Sequence, residues 1–226
     1  MKKLLFFLMA MIFAIQGYSQ VDIQIGSGTT NYYDPLPGWF GWNRSAYLYK
    51  ASEINTGGVI NSISFQIQSA SSGTNAKLKI YLVETSMVNM PGLSATNWNA
   101  LKTGATLVYT NNAFAASPTG WKTINLDLPF AYSGVDNLIV LVEGEGCTTS
   151  GGCLSQCYNH VSTASHWYSR KDSSAPDDNV GSTSSTGQEN NRANIKFNIS
   201  PLGDYCYPPT QLIADNITTT SADLTW

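Results

Sequence analysis

The run Asn137–Gly146, NLIVLVEGEG, places five apolar residues in succession, Leu138 to Val142, ahead of two glutamates. Successive side chains on a pleated strand point to opposite faces. A strand apolar on both faces belongs in the middle of a packed sheet, covered from above and below. The segments around it alternate instead. In SISFQIQ, Ile63, Phe65 and Ile67 share one side, with Ser64, Gln66 and Gln68 on the other. KLKIYLVE repeats the period with Leu78, Ile80 and Leu82, WKTINLDL with Ile124, Leu126 and Leu128, and ANIKFNIS with Ile195, Phe197 and Ile199. Such alternation reads as half-buried antiparallel strands. Turn chemistry separates them, in INTGG, SASSGTN, SPTG and YSGVDN.

These patterns predict an all-β protein, an antiparallel jelly-roll-like β-sandwich. Ile63, Phe65, Ile80, Leu82, Leu126, Val140, Ile195 and Phe197 are its expected core. Thr85–Gly104, TSMVNMPGLSATNWNALKTG, is the one interruption, where Ser94 or Thr96 is expected to cap a helical turn running from Asn97 to Leu101. Ser162–Gln188 is polar; HWYSRK within it reads as a strand with Trp167 inward, followed by a long exposed loop.

The first residues, MKKLLFFLMAMIFAIQGYSQ, have the layout of a secretory signal. Lys2 and Lys3 form the charged end, Leu4 to Ile15 an apolar stretch, and Gly17 and Ser19 the small residues before a cut at Gln20. The apolar stretch is shorter than the ~20 residues that a membrane-spanning helix needs. The expected mature chain is secreted or displayed at the cell surface, meeting a membrane only during export. Loss of Lys2 and Lys3 takes the formal charge from −3 to −5. Without a basic stripe to neutralise phosphates, nucleic acid is not an expected partner. Charged residues make up 12% of the chain, against about 25% in an average globular protein, so the surface is built from Ser, Thr, Asn and Gly.

The cysteines are Cys147, Cys153, Cys157 and Cys206. In an exported chain they read as disulfide formers. A zinc knuckle would show paired CxxC-like spacing, which is missing. Cys147 is expected to close a short loop, to Cys153 or to Cys157, since short loops cost the least entropy.

Catalytic signatures are lacking. The chain has no HExxH, GxSxG, GxGxxG or Walker loop. His160 and His166 read as ordinary surface or satisfied histidines rather than a metal pair. Cys157 and His160 are too close in sequence for a thiol–imidazole pair, and export favours oxidation of the thiol. Glu143 and Glu145 share a strand face with Cα atoms about 7 Å apart by strand rise. That separation suits two-carboxylate hydrolysis, but a charged strand exit is the plainer account. The expectation is a non-enzyme without a bound cofactor.

Two binding readings remain. Asp172, Asp177, Asp178 and Asn179 in KDSSAPDDN collect hard oxygen donors suited to calcium, or simply form a solvated turn. Tyr32–Tyr49, YYDPLPGWFGWNRSAYLY, carries two Trp, one Phe and four Tyr. Its aromatics read mainly as a corner of the core. Trp39 and Trp42 are the expected exposed members, with Asn43 and Arg44 as hydrogen-bonding neighbours for a glycan.

PPTQLIADNITTTSADLTW, residues 208–226, resembles the opening of a fibronectin type III domain, with Pro209 before strand A and Ala222, Leu224 and Trp226 alternating along strand B. Such a domain needs about seven strands, so the resemblance implies a truncated unit. IGSGT, SAYLYKASEI, GGVINSISFQI, GWKTINLDLPFAYSGVDNLIVLVE and RANIKFNI resemble an N-terminal module of secreted multidomain proteins of the Bacteroidetes type, exported by the type IX secretion system. CTTSGGCLSQC is not part of that pattern. The expected organisation is a signal peptide over 1–19, a β-sandwich module over 20–200, a linker over 201–208 and the fibronectin-like start over 209–226. The implied role is adhesion, presentation or binding of an extracellular glycan or surface protein. The alternative is an accessory carbohydrate-binding module of an extracellular hydrolase.

Overall fold

Thirteen strands and two single-turn helices are described in the computed structural model, which covers residues 20–71, 76–92, 95–145, 155–172, 174–177 and 186–202 and the backbone of 213–215 and 223–225. In chain order they are β1 (Val21–Ile25), β2 (Thr30–Tyr32), β3 (Trp42–Tyr49), α1 (Ala51–Ile54), β4 (Gly58–Ser69), β5 (Ala76–Thr85), α2 (Trp98–Lys102), β6 (Thr106–Phe114), β7 (Gly120–Tyr132) and β8 (Asn137–Glu145). There follow β9 (Gln156–Lys171), β10 (Thr186–Ala193), β11 (Ile195–Ser200), β12 (Ile213–Asp215) and β13 (Asp223–Thr225). Every ladder is antiparallel. The main path runs β1-β11-β4-β9-β3-β8-β5-β6, with β7 on the free side of β4 and with β2 and β10 added to β9; among the described residues β12 and β13 form a two-stranded sheet.

The path doubles over into a sandwich because β9 serves both layers. Its first residues pair with β4, Cys157 opposite Ile67, and its last with β3, Lys171 opposite Trp42. The strand turns between them at Ala164, whose φ of 47° lies in the left-handed region that side chains disfavour. Across the interior, Tyr49 of β3 meets Phe197 of β11 edge-on at 5.5 Å and donates its hydroxyl to Ala193 O. At the opposite side Asp127 of β7 accepts from Thr110 N of β6 (2.8 Å).

All eight of the expected core residues are buried in this interior. Leu128 departs from its alternation and is 41% exposed. The register explains it: Ile60 pairs with Phe130 but Ser62 with Asn125, so β7 bulges between them and lifts Leu128 off the core.

β8 lies between β3 and β5, the central place its composition demands. Leu138, Val140 and Val142 face the sandwich interior, while Ile139 and Leu141 join a second cluster with Ala46, Leu48, Met90, Trp98, Leu101 and Trp167. α2 covers that outer face. Its cap is Asn97 rather than Ser94 or Thr96: the Asn97 side chain accepts from Ala100 N at 2.9 Å. Trp98 stacks on Trp167 at 5.9 Å. Trp167 is therefore buried as expected, but in the outer cluster beneath α2.

Candidate functional site

α2 covers only part of the outer face of the β3-β8-β5 layer. Beyond it lies an open cleft of about 690 Å³, lined by Trp42, Arg44, Lys77, Lys79, Asn112, Glu143 and Glu145 and bordered by Ala175 and Pro176. Register assembles it. Trp42 lies opposite Glu145 and Arg44 opposite Glu143, while Lys77 and Lys79 of β5 face the same two glutamates from the other side.

Glu143 is the hub of the floor. Its Oε1 accepts from Trp98 Nε1 at 2.8 Å and lies 3.5 Å from Lys102 Nζ and 3.8 Å from Arg44 Nε. Its Oε2 accepts from Tyr81 OH at 3.2 Å. Glu145 pairs with Lys77 at 2.7 Å. Arg44 also donates to Pro176 O, which ties the segment after β9 to the cleft wall. Lys102 lies 5.3 Å from the centre of the Tyr81 ring.

The aromatic segment divides between this site and the core. Tyr47 and Tyr49 are fully buried, as is Leu36. Trp42 is half-buried in the cleft wall. Trp39 is 55% exposed, leans on Tyr33 at 5.5 Å, and lies outside the cleft lining. Asn43 borders the cleft through its place on β3, but alternation turns its carboxamide inward. It is 2% exposed and donates to Pro35 O (3.2 Å) and Asp34 Oδ1 (3.4 Å), so it offers no side chain to a ligand in the cleft.

The segment is pinned by a buried acid that sequence patterns did not reveal. Asp34 is completely buried and receives Arg170 through Nε (3.0 Å) and Nη2. Arg170 lies over Tyr168 at 3.6 Å and near Phe40 at 5.5 Å. His166 packs against Tyr47 at 4.3 Å, with Nε2 4.0 Å from Asp34. Burial pulls the His166 pKa down to about 4, helped by Arg170 and opposed by Asp34. Neither ring nitrogen makes a well-formed hydrogen bond, and a backbone contact to Asn191 only partly offsets the burial. His160 lies elsewhere, beside Arg192, so the two histidines do not converge on a metal.

Of the calcium candidates, Asp172 and Asp177 are exposed, while Asp178 and Asn179 lie outside the described residues. Among the described residues no group of three or more His, Cys, Asp or Glu is placed to hold a metal ion. Cys157 corrects one half of the disulfide expectation. It is a free thiol, 1% exposed, facing the core from β9, and burial pushes its pKa up to about 12. A thiol so shielded is chemically inert. Cys147, Cys153 and Cys206 lie outside the described residues, as do residues 1–19.

Neither a family model nor a curated protein matches the chain. Among solved structures, the cysteine protease and lectin-like domains of Cwp84, a surface layer associated protein of Clostridium difficile, superpose over 71% of this chain and 32% of that one, with a TM-score of 0.42 and 8% identity. The clostridial cysteine protease Cwp84 after propeptide cleavage superposes over 80% of this chain and 40% of that one, with a TM-score of 0.48 and 8% identity. The chain therefore spans well under half the length of the structures it resembles. At these scores the similarity carries no functional argument.

Proposed function

We propose that residues 20–200 form a non-catalytic binding module of an exported surface protein, and that the cleft holds an extracellular glycan. The observation that carries this reading is the cleft itself. It is an open groove of about 690 Å³, with an indole in its wall and polar side chains fixed by one another along its floor. Trp42 offers an apolar face for a pyranose ring, while Arg44, Lys77, Glu145 and Asn112 offer hydrogen bonds to its hydroxyls.

The two glutamates support binding over hydrolysis. Glu143 is held by an indole, a phenol and two cations, and Glu145 by Lys77. These are the contacts of structural ion pairs, which hold the floor of the cleft in place. The same cleft would serve a surface adhesin or an accessory module of a larger hydrolase.

A glycan array probed with the full chain tests the proposal. At least one polysaccharide should be retained, Trp42→Ala should weaken retention at least tenfold, and no reducing ends should be released. Binding unaffected by Trp42→Ala, or hydrolysis abolished by Glu145→Gln, would overturn it.

A further inference from the structure

The charges of the cleft are unequally paired. Arg44, Lys77, Lys79 and, from α2, Lys102 surround Glu143 and Glu145. Among the described residues Asp177, which follows Pro176 at the rim, is one more carboxylate, so four cations meet three carboxylates there on a chain of formal charge −3. Lys79 is the member that matters. It lies directly across the ladder from Glu143, where opposite charges ordinarily pair. Glu143 instead takes its donors from Trp98, Tyr81, Lys102 and Arg44. Among the described residues Lys79 forms no salt bridge, and it stands exposed in the cleft lining.

We infer that the cleft selects an acidic polysaccharide, with Lys79 meeting a carboxylate or sulfate group of the chain while Trp42 packs on a sugar ring. This rests on the glycan reading above. The ligand's anion completes the ion pair that Glu143 is too fully occupied to make, and the Lys79 ammonium bonds it as a charge-assisted donor.

Matched polymer pairs test this with the full chain in calorimetric titrations. Polygalacturonate is compared with its methyl ester for carboxylate, and carrageenan with agarose for sulfate. The charged member of at least one pair should bind about tenfold tighter at low salt, and the pair that shows the preference identifies the group. The advantage should shrink as salt is raised. Lys79→Gln should abolish the preference, bringing the charged polymer's affinity down to that of its neutral partner, whereas Trp42→Ala should weaken both members alike. Equal binding of charged and neutral members, still sensitive to Trp42→Ala, would overturn the inference and leave the glycan cleft standing. A preference for charge that survives Lys79→Gln would overturn it too. Binding of none of the four polymers would overturn the inference and leave the glycan cleft to the array, whereas binding indifferent to Trp42→Ala would overturn both readings.

Discussion

Around Asp34 the acid is the buried member of its ion pair, whereas around Glu53 the arginine is. The Asp34 side chain is 0% exposed against 13% for Arg170; Arg192 is 2% exposed against 33% for Glu53. Each cluster also contains one of the two histidines. His166 is sealed in beside Asp34 without a well-formed hydrogen bond. His160 is half-buried, accepts from Arg192 through Nε2 at 3.1 Å and meets Asn194 Oδ1 through Nδ1 at 3.1 Å. Because Nε2 accepts, the network assigns the ring proton to Nδ1.

The difference shows what each cluster holds in place. Asp34 clamps the aromatic segment to β9, and its charge is tolerable inside only because Arg170 donates twice to it. Arg192 ties β10 to β3 through Leu48 O and to α1 through two bonds to Glu53, of 2.9 and 2.6 Å. Its partner opens to water, and its guanidinium also lies over Tyr49 at 4.4 Å. Burial acts to raise the Glu53 pKa, but the Arg192 and Lys50 hydrogen bonds and the Arg192 charge outweigh it and hold the value below normal.

Arg170→Leu should break the comparison most severely. It strands Asp34 inside with Asn43 and a neutral His166, and should cost about 3–5 kcal/mol in chemical denaturation. A loss below about 1 kcal/mol would mean that Asp34 is not a buried charge at all.

Acid should come next. His166 has a folded pKa of about 4 against roughly 6.5 unfolded, so the unfolded chain binds the extra proton between those values. The neutral-histidine contribution is complete above pH 6.5 and is lost as pH falls toward 4, by on the order of 3 kcal/mol. Glu53 adds its own loss only as pH falls through the ordinary carboxylate range, below most of that window. Replacing His166 by Phe should flatten the slope between pH 6.5 and 4 while changing stability at pH 7.5 by less than about 1.5 kcal/mol, because no well-formed hydrogen bond is given up. An unchanged slope in that variant would assign the acid sensitivity elsewhere.

Glu53→Gln should cost less than Arg170→Leu, about 1–2 kcal/mol. Water reaches this edge of the cluster and an amide oxygen can still accept from Arg192. His160→Gln should be the mildest, under about 1 kcal/mol, since Gln Oε1 can replace Nε2 as acceptor. Equal costs for the Arg170 and Glu53 variants in parallel urea titrations would erase the distinction between the clusters.

Strand identity was legible because a strand's two faces are written two residues apart in the sequence. Leu138 to Val142 announced the centre of the layer, and the inward residues of β4, β5 and β11 followed their alternation. Leu128 escaped because a bulge is a property of two strands and no single strand's pattern records it. Asn43 escaped for a related reason: Trp42 and Arg44 on either side share the outer face, so the amide between them must point inward.

The cleft was legible only in pieces. Trp42, Arg44, Glu143 and Glu145 each stood out in sequence, for separate reasons. Lys77 and Lys79 were visible as the polar side of KLKIYLVE, yet nothing linked them to residues about 65 positions away in β8. Asp34 gave no signal, since an acid before a proline reads as a turn until Arg170, 136 residues on, is brought to it.

By itself the sequence determined the class of fold and the buried faces of the regularly alternating strands β4, β5 and β11, because hydrophobic burial acts on the local period of the chain. Which strands became neighbours, which charges met across a ladder, which histidine was sealed away and that Lys79 came to face the cleft were decided only by the tertiary structure. Those outcomes depend on register between distant segments, and electrostatic pairing falls off too steeply with distance to exist before the fold brings its partners together.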